Sequence, residues 1–241
     1  MIRCWVFVLV GMLAVPRFAV AHDVLNAAAM EDFLGRLDSH RAIADEAGRE
    51  GQAEAFFQRG MVLSESVDLL NQDYMVHAGS HGTVAEVYLR ELAARGFTLT
   101  LSPKLGRYPV PVGSLECYLA LTGGGGDHAA EALHEVITAR FYDSFVADPF
   151  APLAGDWTSV RGAIADGERF LARFPAHPDL AEIRFVLAVN YGRAALLAPD
   201  EAERSRYREA AAAGLADYAA AYPQSMRAAA AEALIARLDA D

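Results

Sequence analysis

Apolar positions recur at steps of three and four along most of this chain, a pattern that predicts helices nearly throughout. The clearest stretch is 163–193. There Ile164, Gly167, Phe170, Leu171 and Phe174 fall on one helical face. Pro175 and Pro178 then end the helix, because proline lacks an amide donor and restricts the residue before it. A second helix is expected from Leu180. The plan returns 48 residues later in 211–236, where Tyr222-Pro223 replaces Phe174-Pro175.

The remaining elements follow from the same periodicity and its interruptions. Leu25, Ala29, Phe33 and Leu37 mark a first helix, and a break near Gly48 and Gly51 leads into a second over 53–70. The polar, glycine-bearing run 71–82 reads as a loop. Thr83, with Glu86 three residues on, has the spacing of a capping box and opens a helix that Gly96 stops. Residues 97–101 alternate and carry β-branched side chains, which predicts a short strand or an extended segment. The proline- and glycine-punctuated segment 96–114 reads as an extended insertion crossing the helices. A short helix follows over 115–121. The glycines at 123–126 form a joint rather than a phosphate loop, since no lysine and hydroxyl residue follow them. Helix returns over 127–145. The aromatic, proline-rich connector 145–157 reads as a hydrophobic clasp between helices.

Within the helix after Pro178, Ala181, Phe185 and Ala188 lie four and three apart. Small residues at this spacing let two helices approach closely, and the phenylalanine fills the groove between them. The same spacing recurs as Ala229, Ala233 and Ala236, and earlier as Ala53, Phe57 and Gly60. It resembles the second helix of a tetratricopeptide repeat. The run Phe170-Leu171 to Phe174-Pro175 resembles the longer-turned repeats of bacterial envelope proteins. The resemblance covers the C-terminal third. It implies an all-α fold of stacked antiparallel helix hairpins, a TPR-like α-solenoid carrying one extended insertion, and it implies binding to other proteins.

The first residues read differently. A short basic start, an apolar run over 4–15 and Ala19-Val20-Ala21 form the pattern of a secretory signal peptide cut between Ala21 and His22. The expected organisation is then a leader over 1–21, helical hairpins over 22–95, the insertion, short helix and joint over 96–126, and the repeats over 127–241. The location expected is periplasmic or secreted, with no transmembrane segment after cleavage. The formal charge of −11 becomes more negative when Arg3 and Arg17 leave with the leader. Such a balance argues against nucleic-acid binding, which needs clustered cations. Cleavage also leaves one cysteine, Cys117, and its apolar neighbours predict that it is buried.

Candidate chemistry is confined to histidines. A free amine at His22 could chelate copper together with another histidine. His77 and His81 have a spacing that binds metal when both face one side of a helix. Asp127, His128, Glu131, His134 and Glu135 cluster in sequence, a pattern that a solvated helix face accounts for. The candidate metal ligands are therefore His77, His81, His128 and His134. The candidate partner contacts are Arg107, Tyr108, Phe150 and Trp157. No catalytic motif and no cofactor motif is present. Together these features point to a periplasmic scaffold or adaptor that binds another envelope protein. The alternative is a secreted metal-binding protein or metal-dependent enzyme using some of the histidines.

Overall fold

A computed structural model of the chain describes residues 24–77, 79–103, 105–143, 150 and 157–239. The leader, with His22, lies outside them, as does most of the 145–157 connector. Among the described residues the protein is all-α, with nine helices: α1 (Ala27–Glu46), α2 (Arg49–Val76), α3 (Thr83–Ala94), α4 (Gly113–Leu121), α5 (Ala129–Asp143), α6 (Trp157–Arg173), α7 (Leu180–Leu197), α8 (Glu201–Ala221) and α9 (Met226–Leu238). No helix among them is long and apolar enough to cross a membrane.

Local chemistry sets many of the ends. Side-chain oxygens of Asn26, Asp200 and Ser225 accept from the first-turn amides of α1, α8 and α9. Helix α3 ends in a Schellman motif. Gly96 stands at a φ of 88°, Phe97 N–H donates to Leu92 O at 2.9 Å, and Gly96 N–H donates to Ala93 O at 3.0 Å. The α6–α7 turn falls on the proline-bearing segment, as the sequence requires.

Helix α5 organises the packing, because it is apolar on two sides. Ala132 and Val136 meet Ala53 and Phe57 of α2 and Leu115 and Tyr118 of α4. Ala139 joins the core of α1, α2 and α3. Leu133, Ile137 and Phe141 face the other way, into a core shared with α6, α7, α8 and α9. Beyond α5 the helices pack mainly on their chain neighbours: α7 lies against α6 and α8, and α8 lies against α9.

Several expectations are corrected. Helix α2 runs into the first half of the stretch read as a loop and ends only at Val76, and the loop is confined to the residues after it. The polar residues there are internal sockets. Asn71 is buried; its amide donates to Tyr108 O at 3.0 Å, and its carbonyl accepts Tyr108 N–H at 2.7 Å. Asp73, 1% exposed, accepts the amides of Val24 and Leu25 at 3.1 and 3.3 Å. Polar residues look like a loop in sequence, yet here each satisfies backbone groups that packing has removed from water.

Of the two readings for residues 97–101 the strand fails: the segment is irregular, neither helix nor strand. The pairing nearby is one antiparallel bridge between Ser102 and Arg107. Gly82, not Thr83, occupies the N-cap of α3, and no side-chain cap bond forms. Cys117 is exposed, because Leu115 and Tyr118 take the buried face of α4 and turn position 117 outward.

The small-residue spacings divide. Ala53, Phe57 and Gly60 are buried on α2, and a Cβ at Gly60 would fall 2.4 Å from Leu115 Cδ2. Phe185 and Ala188 are buried on α7, with Ala181 partly so. Ala229, Ala233 and Ala236 are exposed instead. The buried face of α9 is Ala228, Ala231, Leu234 and Leu238. In a helix this rich in alanine the leucines decide which side goes inward, since they carry most of the apolar area.

Two substitutions test this packing. Phe185→Ala removes a ring that packs on Phe141 and Tyr218. It should lower unfolding free energy by about 3–5 kcal/mol, read from urea denaturation; near-parental stability would rule the packing out. Asn71→Ala leaves the Tyr108 amide and carbonyl without their partner. A loss of about 2–4 kcal/mol is expected in the same assay, and a loss below about 1 kcal/mol would mean that water reaches the Tyr108 backbone.

Candidate functional site

Two features stand out from the helical background. One is a charged joint buried beside α5; the other is an open groove across α6, α7 and α8.

The joint is centred on His134, whose side chain is only 15% exposed. Its Nε2 lies 3.4 Å from Glu182 Oε2 on α7, and its Nδ1 lies 3.9 Å from Glu135 Oε1. Nε2 is sealed from solvent without a well-aligned hydrogen bond, so the attraction is mainly one of charge. Glu135 also accepts the Ser64 hydroxyl of α2 at 2.8 Å. Glu182 accepts the Tyr142 hydroxyl at 2.6 Å and Arg227 Nη2 of α9 at 2.8 Å. Arg227 also donates to the Tyr142 oxygen. The ring of His177, from the α6–α7 turn, stacks on His134 with centroids 5.6 Å apart.

Four helices and a turn therefore meet on two carboxylates and two cations. Burial disfavours a charged imidazole, but Glu135 and Glu182 outweigh it and push the His134 pKa up to about 9. His134, opposed by burial and helped by Tyr142 and Arg227, holds Glu182 down at about 2. His134 likewise holds Glu135 below the usual carboxylate range, against its burial. Burial, and then Glu182, keep the Tyr142 phenol protonated well above its ordinary range.

The groove has α7 as its floor. One end is a cavity of about 320 Å³ bordered by Leu171, Arg184, Leu187, Tyr218 and Tyr222. The other is a cavity of about 420 Å³ bordered by Arg161, Ile164, Glu168, Arg206 and Tyr207. Tyr191 lines both. A Cβ on Gly214 would come within 3.0 Å of Ala188 Cβ, so α8 sits close on α7. Tyr191 donates to Glu168 at 2.7 Å and stacks on Tyr207, with centroids 6.0 Å apart. Burial, together with Glu168, raises the pKa of that phenol, which stays a donor. Arg161, Arg184 and Arg206 are exposed, and among the described residues none of the three is in an ion pair. The guanidinium of Arg206 lies 5.1 Å from the Tyr207 ring centre.

A larger cavity of about 640 Å³ lies between the start of α2 and the end of α4. Several of its polar groups are already committed to neighbours. Arg49 donates to Leu121 O at 2.8 Å, His128 pairs with Glu54 at 3.3 Å, and the Tyr118 hydroxyl accepts His128 N–H at 3.0 Å. It offers a ligand fewer unmet partners than the groove does.

Neither a protein-family model, nor a curated protein, nor a solved structure matches this chain.

The candidate ligands and contacts are placed as follows. His77 caps α2, its Nδ1 2.8 Å from Asp73 O. His81 bonds through Nε2 to the Tyr108 hydroxyl. His128 stacks on Phe57, with centroids 4.1 Å apart. His134 sits in the joint. Each thus has local partners of its own, and among the described residues no three His, Cys, Asp or Glu side chains could hold a metal ion. The solvated face expected for His134 and Glu135 is also corrected: α7 and α2 cover them. Tyr108 and Phe150 are core residues, at 5% and 1% exposure, rather than contact surface. Arg107 is half-buried and lies near the Asp68 carboxyl. Trp157 stands edge-on to Tyr207 beside the groove, 5.7 Å between centroids. The groove residues Arg161, Arg184, Tyr191 and Arg206 were not singled out by the sequence. Their signal is an i, i+7 pair on α7 and the unpaired arginines of α6 and α8, which only the packing of three helices brings together.

The joint makes stability depend on pH. The folded His134 value lies above its ordinary 6.5, so its contribution is complete below about pH 6.5 and is lost as pH rises toward 9. Glu182 acts oppositely: its contribution is complete above about pH 4.5 and is lost as pH falls toward 2. His134→Gln should be less stable than the parent by roughly 1–3 kcal/mol at pH 6, with the gap closing by pH 9. Urea unfolding at pH 6, 7.5 and 9 checks this, and a gap independent of pH would show that the ring is neutral.

Proposed function

We propose that this protein is a helical-repeat adaptor of the bacterial cell envelope, binding an extended segment of another protein across α6, α7 and α8. The reading treats α6–α7 and α8–α9 as stacked hairpins of the TPR-like kind. Supporting it are the Pro-stopped turns, the chain-neighbour packing of these helices and the close approach of α8 to α7 at Gly214. The signal-peptide pattern over 1–21 supports a periplasmic or secreted location. The protein acts by binding, without a cofactor or a reaction of its own.

The observation that carries the proposal is the groove itself. It is a pair of neighbouring cavities that share Tyr191, with tyrosine walls and three exposed arginines. Tyrosine and arginine are the side chains that contribute most to protein recognition, since each offers a large contact area and a polar end.

The test is photocrosslinking in the native cell. A benzoylphenylalanine placed at the exposed groove position Ala165 should yield one dominant adduct with an envelope protein, identified by mass spectrometry. The same group at Glu65, exposed on α2, should not yield it. No adduct from Ala165, or identical adducts from both positions, would count decisively against an adaptor acting through this face.

A further inference from the structure

We propose that the cavity bordered by Tyr218 and Tyr222 is a binding site for a free α-amino acid with an aromatic side chain. The inference goes beyond the adaptor reading and concerns this one cavity by itself.

The cavity has room for a single small molecule. Its volume of about 320 Å³ lies at the small end of ligand sites, which span about 300–1,000 Å³. Its walls are apolar and aromatic: Leu171 of α6, Leu187 and Tyr191 of α7, Tyr218 of α8 and Tyr222 at the C-cap of α8. Two of the three tyrosines are fixed by their own hydroxyls. Tyr191 donates to Glu168 at 2.7 Å, and the Tyr218 hydroxyl shares a hydrogen bond with that of Ser225 at 2.8 Å. Their polar ends are spent and their rings are held in place. The rings of Tyr218 and Tyr222 are tilted by 44°, with centroids 5.1 Å apart. Rings fixed in this way offer a further ring offset or edge-on contacts, the two arrangements that aromatic pairs prefer.

The charged groups at the cavity are few and opposite in sign. Arg184 of α7 and Asp217 of α8 both border it, and both are exposed. Among the described residues neither has an ion pair or a hydrogen-bonded side-chain partner, and they do not pair with each other. The Tyr222 hydroxyl likewise bonds to no protein group among the described residues. The neighbouring cavity differs, because there Arg161 and Arg206 face the single carboxylate of Glu168.

An apolar pocket rimmed by one free cation and one free anion discriminates among ligands. An uncharged molecule gains nothing from either ion. A simple anion or a simple cation is attracted by one and repelled by the other. An α-amino acid satisfies both, since at neutral pH its carboxylate and its ammonium stand on the same carbon. The carboxylate accepts from the forked donors of Arg184 and from the Tyr222 hydroxyl, and the ammonium donates to Asp217. The side chain then leaves that carbon toward the leucines and the tyrosine rings.

The experiment is isothermal titration calorimetry of the purified chain with L-phenylalanine, phenethylamine, 3-phenylpropionate and L-leucine. L-Phenylalanine should bind saturably at one site per chain. Phenethylamine lacks the carboxylate and 3-phenylpropionate lacks the ammonium, so each should bind at least about tenfold more weakly. L-Leucine keeps both charges but has no ring, and it too should bind more weakly. Arg184→Gln and Asp217→Asn, at two exposed positions, should keep the parental circular dichroism. The first should bring L-phenylalanine down to the level of phenethylamine, and the second down to that of 3-phenylpropionate. Arg161→Gln, in the neighbouring cavity, should change none of these affinities. No saturable binding of L-phenylalanine at millimolar concentration, equal affinity for all four compounds, or affinity indifferent to both variants would each overturn the proposal. L-Leucine binding as tightly as L-phenylalanine would overturn the aromatic class. The Ala165 adduct is read independently, so the adaptor reading and the amino-acid site can each fail while the other stands.

Discussion

Helix α5 cannot be solvated on either of its broad sides, and the rest of the molecule is arranged around that constraint. Ala132, Val136 and Ala139 bury one side, and Leu133, Ile137 and Phe141 bury the other. The residues between them, His134 and Glu135, are thereby drawn out of water as well. An isolated charge there would cost several kcal/mol. The cost is offset because α7 and α9 bring Glu182 and Arg227 to the same place, so that two negative and two positive groups neutralise one another. The joint fixes how the C-terminal helices sit on the N-terminal ones. A shift of α7 along α5 would leave His134 between one carboxylate and apolar walls.

Much of the architecture was legible in the sequence. The helix pairs on either side of Pro175 and Pro223, the stop at Gly96 and the break near Gly48 all come from local chemistry acting within a turn or two. What was illegible depended on contacts between distant residues. Asn71 and Asp73 read as loop because their partners, the Tyr108 backbone and the amides of Val24 and Leu25, are far away in the chain. His134 and Glu135 read as a wet face because nothing local announces Glu182. The exposed alanines of α9 read as packing residues because alanine fits either side of a helix. Cys117 was misjudged by its neighbours in sequence, although in a helix adjacent positions point about 100° apart.

The groove illustrates the same limit for function. Arg161, Arg184 and Arg206 belong to three helices, and none of them belongs to a recognisable motif. Their meaning comes from a count of charges in space. The N-terminal helices carry most of the acidic excess, and the C-terminal helices are near balance. Unpaired guanidiniums beside tyrosines on the balanced part form a surface of opposite character to the body that bears it. The histidines that attracted attention in the sequence are spent on internal contacts instead. His81 is tied to Tyr108, His128 lies flat on Phe57, and His134 is held in the joint.

The separation in chain position between bonded groups also bears on how the molecule assembles. Contacts among α6, α7, α8 and α9 are between successive helices, and their closure costs little chain entropy. The joint is the opposite case: Ser64 reaches Glu135 across 71 residues, and Arg227 reaches Tyr142 across 85. Proteins rich in local contacts fold fast, and distant pairings delay the rate-limiting ascent. The C-terminal helices would therefore zip together first, while His134 and its carboxylates stay hydrated. Dehydration of that small cluster would come last, so the kinetic barrier lies in closing a seam rather than in winding any helix.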